Sequence, residues 1–113
     1  MEPIELARKI VESLEDMKGE DILLLDVQDL SPIGMYYVIA SGSSERTVRG
    51  LMNSVVGDLK QEMNKPQLEG KAQDGWLLAD YGTVVVHVFS KLQRDYYRLE
   101  ELWADAKVLL HVQ

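Results

Sequence analysis

The chain has 113 residues, 46% apolar and 27% charged, with 12 lysines and arginines against 19 aspartates and glutamates and a formal net charge of −7. That length supports one small domain with a single core, and a surplus of acid argues against a protein that coats nucleic acid, because phosphate binding needs a cationic face. The absence of cysteine excludes disulfides, a thiol nucleophile and cysteine metal sites.

The first residues, MEPIELARKI, read as the start of an amphipathic helix, not as a signal or basic transit peptide. Pro3 suits a first helical turn, and Ala7, Ile10, Val11, Leu14 and Met17 follow at steps of three and four. Lys18-Gly19 is a stop signal. Ile22 to Leu25 predicts the first strand and Tyr36 to Ala40 the second, joined by QDLSPI around Pro32. A link that short favours an antiparallel pair. Ser41-Gly42-Ser43-Ser44 then turns into the most regular helix of the chain, where Val48, Leu51, Met52, Val55, Val56, Leu59 and Met63 fall on one face. Ser43 or Ser44 is its expected N-cap, and Asn64-Lys65-Pro66 its end. Gly50 and Gly57, costly within a helix, would let it lie close on a sheet.

Leu68 to Ala72 predicts a weak third strand at a sheet edge, and Asp74-Gly75 a turn into Trp76. Trp76 to Tyr81 and Val84 to Phe89 are paired as a hairpin through Gly82-Thr83. The second of these runs, β-branched apart from His87 and Phe89, belongs in the middle of a sheet. A short helix is expected over Asp95 to Trp103, and Lys107 to Val112 is a candidate extended tail. The fold class is therefore α/β (α+β), a mixed five-stranded sheet packed with helices. No apolar run approaches the ~20 residues of a membrane span.

Three groups of residues bear on chemistry. Gly42-Ser43-Ser44, after a strand and before a helix, resembles the glycine-serine turn of nucleotidyltransferases, and a helix start can bind phosphate. Such enzymes also need paired carboxylates for magnesium, and Asp74 and Asp80, about 20 Å apart in an extended strand at ~3.3 Å per residue, cannot share one. A plain helix cap is the preferred reading, with a nucleotidyltransferase-like enzyme as the alternative. His87 reads as a packed, hydrogen-bonded core residue, and His87 and His111 share no ligand spacing, so no metal and no cofactor are expected. Asp95, Glu100, Glu101 and Asp105, beside Tyr96, Tyr97 and Trp103, are either a solvated helix face or an acidic, aromatic patch for a basic partner.

Several longer words carry more than periodicity does. KGEDILLLDVQDLSPIGMYYVIASGSSERTVRGL and DGWLLADYGTVVVHVFSKLQRDYYRLEELWADA, within Ile4 to Ala106, strongly resemble the ribosomal silencing factor family, RsfS or Iojap-like. Gln28 and Gly34-Met35 depart modestly from its pattern. The resemblance implies a nucleotidyltransferase-related fold without the catalytic carboxylates. It also implies a cytoplasmic, non-enzymatic translation repressor, a monomer or weak homodimer. By resemblance, the partner is the large ribosomal subunit, bound through its fourteenth protein so that subunit joining is blocked. Alternation along the hairpin puts Trp76, Leu78 and Asp80 on one face and Leu77, Ala79 and Tyr81 on the other. The candidate partner-binding residues are Trp76, Leu78, Asp80, Tyr81, Tyr97, Glu100 and Glu101, with Trp76, Leu78 and Tyr81 as anchors.

Overall fold

Two long helices lie against one face of a six-stranded sheet in the computed structural model. It describes every residue except 33, 99, 100, 102 and 103, and of residue 97 the backbone alone. In chain order the elements are α1 (Pro3–Asp16), β1 (Glu20–Asp26), β2 (Tyr36–Gly42), α2 (Glu45–Asp58), β3 (Gln67–Lys71), a 3-10 turn (Ala72–Asp74), β4 (Trp76–Asp80), β5 (Val84–Ser90), α3 (Lys91–Tyr97) and β6 (Lys107–Val112).

The strand order is β3-β4-β5-β2-β1-β6. All neighbouring pairs are antiparallel except β2 and β5, which run parallel with Tyr36 opposite Val84 and Gly42 opposite Ser90. A parallel pair requires a crossover. Here it runs through α2, β3 and β4, which places the two most buried strands side by side at the centre.

The expected five strands become six. Lys107–Val112 pairs with β1 along the far edge, with Val108 opposite Leu25 and Val112 opposite Ile22. Its residues are mostly exposed on both faces, so the segment shows no alternation of apolar and polar side chains. The pairing that makes it a strand comes from β1, some eighty residues earlier, and no local pattern encodes that. Helix and strand limits also move, and α2 ends at Asp58, before the stop expected at Asn64-Lys65-Pro66. α3 begins at Lys91, capped by the Ser90 hydroxyl, which accepts from the Gln93 amide at 3.2 Å. The expected start at Asp95 overlooked this cap. β3 ends at Lys71 because Ala72 enters the 3-10 turn.

The helix side of the sheet carries Ile22, Leu24, Val38, Ala40, Ala79, Val84, Val86 and Val88, packed against Leu6, Ile10 and Leu14 of α1 and Val48, Leu51 and Val55 of α2. These side chains are aliphatic and close-packed, and burial of this kind contributes roughly 1.5–3 kcal/mol for each large side chain. Gly50 and Gly57 have no part in it. A Cβ at Gly57 would meet nothing within 4 Å, and one at Gly50 only the Met17 methyl at 3.8 Å, so close approach does not explain either glycine. The opposite face holds a smaller cluster of Leu25, Val27, Ile39 and Phe89, with Leu23, Tyr37, Trp76 and Ala106 half-buried around it.

Candidate functional site: the far face of the sheet

Strand pairing assembles this face in rows. Trp76 of β4 lies between Lys71 of β3 and Phe89 of β5, and Leu78 between Glu69 and His87. Asp80 lies between Gln67 and Val85, and the rows continue through Tyr37 and Ile39 of β2 into Leu25 and Leu23 of β1. Directly paired residues project from the same face. The sequence expectation that Trp76, Leu78 and Asp80 share a side therefore matches the register, and that side is the one facing away from α1 and α2.

Four rings form a continuous aromatic band across β4, β5 and β2. Trp76 is nearly parallel to Phe89 at 6.3 Å between centroids, and to His87 at the same distance. His87 and Phe89 lie 6.1 Å apart with an interplanar angle of 5°, and Tyr37 tilts against His87 at 5.3 Å. These offset geometries are the favourable ones for aromatic pairs. The Trp76 indole Nε1–H donates to His87 Nδ1 at 3.3 Å. His87 is buried, 7% exposed, and desolvation lowers its pKa to about 4, so the imidazole is neutral at ordinary pH. The packed, hydrogen-bonded histidine expected from sequence is what the fold contains. Leu78 and Trp76 themselves are half-buried, which leaves apolar and aromatic surface in reach of a partner.

The other sequence candidates fall elsewhere. Tyr81 packs with the helix-side cluster, beside Val56, Leu59, Met63 and Pro66. Its phenol oxygen is buried without a hydrogen-bond partner, and that burial raises its pKa. Tyr81 therefore does not share a surface with Trp76. Asp80 is engaged in its own turn, its Oδ1 accepting from the Gly82 amide at 2.7 Å. Glu101 is exposed and pairs with Arg98 at 3.6 Å. Glu100 and the Tyr97 side chain lie outside the described residues. Sequence reading missed Tyr37 and Phe89 as members of the face. Phe89 is two residues from His87 on one strand, a signal that was present, whereas Tyr37 arrives only through the parallel pairing of β2 with β5.

The glycine-serine turn is a helix cap. Ser44 Oγ accepts from the Thr47 amide at 3.1 Å and lies 2.9 Å from the Thr47 hydroxyl. A Cβ at Gly42 would come within 3.0–3.2 Å of Thr47 and the Val48 amide, so glycine eases the close approach of strand and helix, and a larger residue would have to push Thr47 aside. Among the described residues no group of three or more His, Cys, Asp or Glu side chains could hold a metal ion, and no helix is long and apolar enough to cross a membrane.

A cavity at the Ser41 end of the central strands, in the same row as Phe89 and Trp76, surrounds Arg94, which is 6% exposed. Its guanidinium donates to the carbonyl of Asp21 and to Ser41 Oγ, the latter at 2.9 Å. Arg94 thereby ties α3 to β2 and to the irregular start of β1, where Asp21 has a φ of +46°.

Comparison with known proteins gives a consistent outcome. The family model described as "Ribosomal silencing factor during starvation", RsfS, matches residues 1–113. The ribosomal silencing factor RsfS of Chromobacterium violaceum is 41% identical over 108 residues, covering 95% of this chain and 88% of that one. The Bacillus subtilis protein of the same name is 38% identical over 93 residues, covering 81% and 79%. A crystal structure of a Chromobacterium violaceum protein superposes with a TM-score of 0.88 at 41% identity, over 92% of this chain and 88% of that chain.

Proposed function

The chain belongs to the ribosomal silencing factor family, and from that premise we propose that it docks on the large ribosomal subunit through the far face of its sheet and keeps the small subunit away. The contact is with the fourteenth protein of the large subunit, and the mechanism is steric. The observation that carries this reading is the aromatic band ending in half-buried Trp76 and Leu78, on the sheet face that the two long helices leave free. Aromatic side chains enriched at a partly exposed patch are what protein interfaces use as anchors.

Charge supports the same partner. A net charge of −7 steers the domain toward basic surfaces, and ribosomal proteins are generally basic. Size supports the mechanism. A standard interface covers roughly 800 Å² per partner, about an eighth of the 6734 Å² surface, so most of the 33 × 32 × 24 Å body would protrude as an obstacle. No bond is made or broken in this mechanism. The protein is a regulator, not an enzyme, and it works in the cytoplasm beside the ribosomes.

The test uses separated ribosomal subunits in a sucrose gradient. The purified chain is expected to sediment with the large subunit and to reduce formation of joined ribosomes in proportion to its occupancy. Sedimentation with the small subunit alone, or full joining at saturating occupancy, would overturn the proposal.

A further inference from the structure

β5 places one imidazole in a row of valines, and its surroundings are costly. His87 is 7% exposed, and its Nε2 is buried with no hydrogen-bond partner. Because Nδ1 accepts the indole N–H of Trp76, the proton of the neutral ring sits on Nε2. A buried donor without a partner is destabilising, and a valine or phenylalanine at this position would carry no such group. What an apolar residue could not supply is the acceptor at Nδ1. Trp76 is half-buried at the rim of the far face, and without that acceptor its ring would be fixed by packing alone.

Resting on the reading of Trp76 as a docking anchor, we propose that His87 is a positioning residue that locks the indole flat beside Phe89, so that Trp76 meets its partner already in the bound orientation. The lock has two parts. The hydrogen bond at 3.3 Å fixes which edge of the indole points inward. The near-parallel rings of His87 and Phe89, 6.1 Å apart, set the plane. A side chain immobilised before binding does not have to be ordered on binding, which for one side chain corresponds to roughly 3- to 10-fold in affinity. His87 itself does not touch the partner.

The experiment reads the free protein first. The Trp76 indole N–H resonance, assigned by its loss in Trp76→Phe, should be protected from solvent exchange in the unaltered chain. An exchange rate equal to that of a free indole would overturn the proposal without any variant. His87→Phe keeps a flat ring and removes the acceptor. It should raise the exchange rate at least ~10-fold and weaken large-subunit binding roughly 3- to 10-fold, with an unchanged circular dichroism spectrum. His87→Asn sets an amide oxygen near the Nδ1 position and should restore most of the protection. A histidine that only filled the core would alter the melting temperature of both variants and leave indole exchange alone, which would overturn the positioning role. If instead folded Trp76→Ala binds the large subunit normally while the indole responds to His87→Phe as expected, the docking assignment has failed and the lock on Trp76 stands.

Discussion

The two faces of the sheet are built from the same strands by opposite means. β5 supplies Val84, Val86 and Val88 to one face and Val85, His87 and Phe89 to the other. The first face is sealed by α1 and α2 with mainly aliphatic side chains, and Tyr36 and Tyr81 pack at its margin. The second is shielded by aromatic rings from β2, β4 and β5 and ends in a half-buried tryptophan. One face thus maximises burial, while the other spends a titratable group and keeps large side chains within reach of solvent. On the docking reading proposed above, stability and docking are separable, because a one-residue step along a strand changes which of the two faces a side chain serves.

The sharpest way to break that separation is a cavity on the helix side. Leu51→Ala, at a position 1% exposed, should lower stability by about 2–5 kcal/mol in urea unfolding, yet leave large-subunit affinity within ~2-fold under conditions where the variant is folded. A comparable loss of affinity by the folded variant would show that the two faces are coupled.

Acid should expose the cost of the far face. The His87 pKa is lowered from 6.5 to about 4 by burial, so below pH 6.5 the unfolded chain takes up a proton that the folded chain refuses. The stability is complete above pH 6.5 and is lost progressively as pH falls toward 4, by about 3 kcal/mol. Urea titrations across that range should show the loss in the unaltered chain and a smaller one in His87→Phe. Equal slopes would mean that other groups dominate acid sensitivity.

Docking should depend on the anchor more than on the rim. Trp76→Ala is expected to weaken large-subunit binding at least ~30-fold, equivalent to about 2 kcal/mol, with its fold verified by circular dichroism. Glu101→Ala removes one exposed ion pair with Arg98 and should change affinity less than ~2-fold at physiological salt. If the two variants lost affinity equally, the acidic helix would replace the aromatic band as the site.

The smallest effect concerns the helix itself. Gly57→Ala adds a methyl group where nothing lies within 4 Å and should raise stability by about 0.5–1 kcal/mol without altering binding. Thermal melting of the variant checks this, and a lower midpoint would mean that the site is more crowded than the geometry indicates.

Much of this organisation was legible along the chain. The apolar steps from Ala7 to Met17 and from Val48 to Met63 announce α1 and α2, because a 3.6-residue repeat has one way to bury its stripe, although the helices stop at Asp16 and Asp58. A serine N-cap at position 43 or 44, the hairpin of β4 and β5, the edge position of β3 and the sharing of one face by Trp76 and Leu78 all follow from local chemistry and alternation, and packing selects Ser44 as the cap. The family resemblance, read from words such as DYGTVVVHVF, agrees with the match over residues 1–113.

Other features belong to the tertiary structure alone. β6 is a strand only because β1 offers it an edge, and Tyr37 joins the aromatic band only because β2 lies parallel to β5. Tyr81 keeps the side that alternation along the hairpin gives it, with Leu77 and Ala79, and what packing decides is that this side is covered by the helices, so its residue type does not make it an anchor. The indole-to-imidazole bond joins residues eleven apart across a hairpin, at a diagonal that no spacing rule marks as a hydrogen bond. Sequence determines which side chains alternate and where helices begin, because those are consequences of neighbouring backbone geometry. Which face is covered, and which aromatic is left at its rim, depends on strands brought together across the chain, and only packing decides that.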